Sequence, residues 1–67
     1  MKKYKVLIFN PFSRETIWQV VFGVNLDNAI TVAKYQNASK TLYGMCNHSL
    51  SVNDVVGCLV TMEAKEI

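Results

Sequence analysis

With 67 residues, of which 51% are hydrophobic and 18% charged, the chain has the composition of a folded domain and not of a disordered regulator. One domain with one modest core is all this length allows, and so small a core is marginal unless oligomerisation or a tight partner supports it. The net charge of +2 is small, and three of the seven basic residues are Lys2, Lys3 and Lys5, so bulk electrostatics argue only weakly for nucleic acid.

No stretch approaches the roughly 20 consecutive apolar residues of a membrane-spanning helix, so no membrane partner is expected. The basic opening Lys2-Lys3-Tyr4-Lys5 leads into an apolar run, but Asn10-Pro11 and Arg14-Glu15 cut that run off before a secretory core forms. The expected location is the cytoplasm. Cys46 and Cys58 are accordingly read as two reduced thiols and not as a disulfide.

Residues 4–9 predict a first strand, with Val6 and Ile8 on one side and Leu7 and Phe9 on the other, the pattern of a strand covered on both sides or central in its sheet. Asn10-Pro11-Phe12-Ser13-Arg14-Glu15 then breaks it and makes a hairpin loop, because proline cannot donate to a ladder. The second strand is predicted over 16–24, with Trp18, Val20, Phe22 and Val24 on one face and Ile17, Gln19, Val21 and Gly23 on the other. The aromatic face is expected to be the buried one, at a cost of ~3 to 5 kcal/mol for truncating Trp18 or Phe22.

A helix should cover that face. Asn25 is a good N-cap, Asp27 lies in the first turn, and Leu26, Ala29, Ile30 and Ala33 form an i, i+3, i+4, i+7 stripe, leaving Asn28, Thr31 and Lys34 to water. The helix is expected to run to about Asn37. Beyond it, Leu42, Tyr43 and Met45 predict an irregular or short strand-like edge.

Val52-Asn53-Asp54-Val55 is expected as a tight structural turn, with Asn53 tolerant of a left-handed backbone and Asp54 accepting backbone amides. Ser49 and Ser51 are read as turn or capping hydroxyls. A final strand is predicted over 55–62, rich in β-formers, and the tail 63–67 is polar enough to fray. The sum is an α+β fold, a small antiparallel sheet of three to four strands in the order β-β-α-β with one helix on one face. The face left uncovered, with Ile17, Val21, Leu7, Phe9 and Met62, argues for a homodimer or a protein partner.

The segment His48-Ser49-Leu50-Ser51-Val52-Asn53-Asp54-Val55-Val56 resembles the signature of YodL-like modules and related small domains carried by phages, plasmids and conjugative elements. The resemblance covers about a sixth of the chain, and Asn53 stands where relatives often have Gly or Ser. It implies a mobile-element setting, in the host cytoplasm, where small proteins of this kind inhibit a host enzyme or a defence complex such as a CRISPR effector, or modulate transcription.

Candidate chemistry is thin. Cys46, His48, Asp54 and Cys58 do not have the paired spacing of a zinc site, so no metal or other cofactor is expected. Cys46 and His48, two residues apart on extended chain, are too distant for a nucleophile and its base. Gly23, Gly44 and Gly57 are too scattered for a phosphate loop, and the chain is read as no enzyme. The expected function is a protein-binding inhibitor or adaptor, with Phe12 and Arg14 in the hairpin loop and Tyr43 and His48 near the polar turn as partner-binding residues. The rival is a nucleic-acid binder whose sheet presents Tyr4, Phe9 or Tyr43 beside Lys3, Lys5 and Arg14.

Overall fold

The computed structural model describes residues 1–45 and 50–67. A hairpin opens the fold: β1 (Lys2–Asn10) and β2 (Glu15–Gly23) pair antiparallel in unbroken register from Lys2 opposite Gly23 to Asn10 opposite Glu15. The turn between them, residues 11–14, is held by Asn10, whose Oδ1 accepts from the Phe12 and Ser13 amides at 2.9 and 3.3 Å. Asn side chains close turns in this way, by imitating a backbone carbonyl. Arg14 takes the left-handed backbone at φ 58, which brings the chain round into β2.

β3 (Val60–Glu66) lies against the other side of β1, giving the strand order β2-β1-β3. β1 is therefore central, one of the two settings that its apolar faces predict. Both neighbours run antiparallel to it, so β2 and β3 are parallel to each other with β1 between them. The tail does not fray: Lys65 and Glu66 pair with Lys5 and Tyr4, and the Ile67 amide donates to the Lys3 carbonyl at 2.9 Å. Edge pairing overrides the polar composition of 63–67. The register slips by one residue between Leu7 and Ile8, which leaves Met62 as the extra residue of a bulge.

Two helices cover one face of this sheet. α1 (Leu26–Met45) is capped as expected, since the Asn28 amide donates to Asn25 Oδ1 at 2.8 Å. It continues well past Asn37, however, and the strand-like edge expected at Leu42 to Met45 is its last turn. Asn37 and Thr41 tie this extension to the hairpin: Asn37 Oδ1 and Thr41 Oγ1 both accept from the Asn10 side-chain amide, while the Thr41 hydroxyl donates back to the Asn37 carbonyl at 2.9 Å.

α2 (Val52–Cys58) replaces the predicted tight turn and the first half of the predicted last strand. Its start is a capping box: Ser51 Oγ accepts from the Asp54 amide at 3.2 Å, and the Ser51 amide donates to Asp54 Oδ2 at 3.0 Å. Asn53 is helical and not left-handed; its Oδ1 accepts from Tyr35 Oη at 2.7 Å, tying α2 to α1. The strand begins only after Leu59, whose amide closes the helix onto the Val55 and Val56 carbonyls.

The core lies between sheet and helices: Tyr4, Val6 and Ile8 of β1, Val21 of β2, Ala29, Ala33 and Ala38 of α1, Val55 of α2, and Leu59. Each large aliphatic among these contributes roughly 1.5 to 3 kcal/mol by its burial. The face of β2 that meets the helix is thus the one with Ile17, Gln19, Val21 and Gly23, the reverse of the expected orientation. The small stripe on α1 does bring helix and sheet close, but against Gly23 and not against aromatics. Gly23 has no side chain, and that absence lets Ala29 come down onto β2.

Candidate interaction surface

The other face of the sheet is uncovered by either helix. Strand register places Phe22 beside Lys3, Val20 beside Lys5, Trp18 beside Leu7 and Thr16 beside Phe9. From β3, Lys65, Glu63 and Val60 join Lys5, Leu7 and Phe9 on that side. Trp18, Val20 and Phe22 are 42, 52 and 58% exposed, and Val60 and Met62 are exposed as well, whereas Leu7 and Phe9 are half-buried in the middle. Isolated exposed apolar residues are ordinary, whereas here Trp18, Val20 and Phe22 of β2 form a contiguous exposed set.

Charge on this face has one distinctive arrangement. Lys5 and Lys65 stand opposite each other on neighbouring strands, and both ammonium groups lie over the Trp18 ring, at 4.6 and 5.7 Å from its centroid. Like charges directly across a ladder oppose pairing, and the indole quadrupole offsets part of that repulsion. Among the described residues the ion pair is Lys2 with Glu66, 3.9 Å apart at the exposed sheet end, so Lys5 and Lys65 have no carboxylate of their own.

The residues predicted to bind a partner fall elsewhere. Phe12, 38% exposed, and Arg14 sit in the hairpin turn, with the Phe12 amide bound to Asn10. Tyr43 is 93% exposed on α1, two residues and thus about 200° around the helix from Thr41, which meets the hairpin. Tyr43 is therefore on the side of α1 turned away from Asn10. His48, Ser49 and Cys46 lie outside the described residues; Cys58 is an exposed free thiol at the end of α2. Of the predicted base-stacking aromatics, Tyr4 is in the core and Phe9 is on the open face.

Ser51, Asn53 and Asp54 are structural, though in a helix and not in a turn. The Ser51 amide and hydroxyl hold the Asp54 carboxyl below its ordinary range by favouring the charged form. Val55, three residues after Val52, is completely buried. From Ser51 to Val55 the signature-like segment therefore reads as a capping box followed by a buried apolar residue, which gives those residue types a folding duty.

On the helix side, a shallow cleft of about 200 Å³ lies where the hairpin meets α1, lined by Asn10, Ser13, Ile17, Asn37, Lys40 and Thr41 among others. Its floor is the buried bond from Asn10 Nδ2 to Asn37 Oδ1 at 2.9 Å, with a second from the same amide to Thr41 Oγ1 at 2.7 Å. These bonds staple hairpin to helix. Among the described residues no three of His, Cys, Asp and Glu are grouped to hold a metal ion, and no helix is long and apolar enough to cross a membrane.

Sequence reasoning missed the open face because it placed Trp18, Val20 and Phe22 in the core. One signal was present: Gly23, next to the helix start, marks the side of β2 where another backbone approaches. No protein-family model matches this chain, and the searches of curated proteins and of solved structures give no significant match either.

Proposed function

We propose that this protein is a protein-binding module, a stoichiometric inhibitor or adaptor, that engages its target through the open face of the sheet. The observation that carries this reading is Trp18, half exposed on the open face beside Leu7 of the central strand, with two lysines across its ring. Interface energy concentrates in such residues, an aromatic anchor within an apolar patch whose rim is polar. Lys5 and Lys65 lack a carboxylate partner among the described residues, so the complementary target brings Asp or Glu beside an apolar contact. A host enzyme or defence protein, met in the cytoplasm, fits the mobile-element setting that residues 48–56 suggest. The chain contributes binding and no chemistry of its own.

A second reading, single-stranded nucleic acid, is favoured by Phe9, Trp18 and Phe22 sharing a face with Lys3, Lys5 and Lys65. It ranks below the first because Leu7, Val20 and Val60 interleave with those rings, and aliphatic side chains give bases nothing to stack on.

Retention from a nuclease-treated host lysate at moderate salt, with identification by mass spectrometry, tests both. The expected result is one protein held in stoichiometric amount by the native chain and lost from Trp18→Ala and from the double charge reversal Lys5→Glu with Lys65→Glu. Equal retention by all three would remove the open face from the mechanism. Oligonucleotide binding that collapses between low and physiological salt would move the assignment to the second reading.

A further inference from the structure

The two edges of the sheet are treated very differently by the sequence. β3 has the features that keep an edge strand from pairing with another chain: a bulge at Met62 and the charged residues Glu63, Lys65 and Glu66. β2 has none of them. It is nine residues long, pairs with β1 without a bulge, contains no proline, and carries no charge between Thr16 and Gly23. Among the described residues its backbone bonds go to β1 alone, so the outward amides and carbonyls of β2 are unpaired. Such an edge is a template for another strand.

We propose that the occupant is a second copy of this chain, with β2 pairing antiparallel to the partner's β2 to make one continuous six-stranded sheet. The argument for a second copy is self-complementarity. A twofold axis at Val20 sets Trp18 opposite the partner's Phe22, Phe22 opposite the partner's Trp18, and Val20 opposite the partner's Val20, all on the open face. Aromatic and β-branched cross-strand pairs are those that stabilise sheets, and no like charges meet at the axis because β2 has none there. On the helix side the same register sets Ile17 opposite the partner's Gly23 and Gln19 opposite the partner's Val21. The contact is isologous and closes at two copies, since each chain has one unprotected edge and its other edge is blunted. This goes beyond the proposed function: the dimer joins edges and leaves the open faces free, side by side.

Sedimentation equilibrium on the isolated protein, from low micromolar to several hundred micromolar, tests the proposal without any target. The expected result is a reversible equilibrium between the 7.6 kDa chain and twice that mass. Val20→Lys, at a position already half exposed, should be monomeric over the whole range with an unchanged circular dichroism spectrum, and Met62→Lys on the blunted edge should leave the dimer intact. With Cys46 and Cys58 replaced by Ser, Val20→Cys should oxidise to a covalent dimer and Thr16→Cys should not. Amides of β2 should exchange more slowly at dimeric than at monomeric concentration. A chain that is monomeric throughout, a dimer that survives Val20→Lys, a dimer without added protection in β2, or a spread of larger species would each overturn the proposal.

Discussion

A Cβ placed on Gly23 would stand 2.9 Å from the backbone nitrogen of Ala29 and 3.0 Å from its Cα, so the end of β2 and the first turn of α1 are packed backbone to backbone. Real side-chain carbons do not tolerate that distance against main chain, and nothing flexible lies in the way to yield. Gly23→Ala should therefore lift the helix start from the sheet and cost about 1 to 3 kcal/mol, the range of overpacked cores. Gly44 and Gly57 have nothing within 4 Å of such a carbon and lie in helices, so Gly57→Ala should stabilise by about 0.5 to 1 kcal/mol. Urea unfolding of the variants reads both signs in one experiment.

Asn10 is the second point where hairpin and helix are joined. Its amide donates to Asn37 and Thr41 while its carbonyl oxygen accepts two turn amides, so all four of its hydrogen-bonding positions are used. Asn10→Ala strands the buried Asn37 oxygen, and a loss of about 2 to 4 kcal/mol is expected from one buried unsatisfied acceptor together with the weakened turn. Asn10→Asp should be no rescue, since it offers an oxygen to an oxygen. Hydrogen exchange at Phe12 and Ser13 would register freed turn amides in Asn10→Ala and retained ones in Asn10→Asp, whose carboxylate still accepts them.

Stability at the start of α2 should depend on pH through Asp54. The folded-state carboxyl is held below the ordinary value of 3.8, because the Ser51 amide and hydroxyl donate to its charged form. A depressed acid contributes stability that is present above the unfolded value and is lost as pH falls through the folded one. The contribution should thus be constant at neutral pH and disappear on acidification below about pH 4, the unperturbed aspartate range. Ser51→Ala should cost about 1 kcal/mol at neutral pH, as N-cap losses do, and should weaken that acid dependence without abolishing it, because the residue-51 amide still donates to the carboxylate. Thermal melts of native chain and Ser51→Ala at neutral and acid pH would show the difference shrink toward low pH.

Ile8 and Trp18 separate packing from binding. Ile8 is wholly buried beneath the helices, and Ile8→Ala should cost about 2 to 5 kcal/mol. Trp18 is 42% exposed on the uncovered side, so Trp18→Ala should cost clearly less, about 1 to 2 kcal/mol once its contact with Leu7 and the lysines is lost. Matched denaturation curves would decide it. A Trp18→Ala chain as unstable as Ile8→Ala would mean that the indole is core after all.

What the chain determined by itself is local. Alternation over 4–9, proline and asparagine at 10–11, and the cap at Asn25 define a strand, a hairpin and a helix start without reference to anything distant, because each rests on backbone conformation or on neighbours a few residues away. Ser51 and Asp54 were a readable capping box too, but the β-branched run after them, with Gly57, has poor helix propensity and favours the strand reading. Burial of Val55 against the core outweighs that preference, and burial is a tertiary quantity.

Which face of the sheet is covered was decided only in three dimensions. Both faces of β1 and β2 are apolar, so alternation identifies two sets of residues without saying which set is inside. The choice follows from register and close approach: Ile8 opposite Ile17 and Tyr4 opposite Val21 make one continuous inner surface, and Gly23 on that same side admits Ala29. Trp18 and Phe22, the residues whose hydrophobicity most suggested a core, are thereby turned to the outside, because a helix bearing Ala29 and Ala33 packs closer to glycine and valine than to aromatic rings.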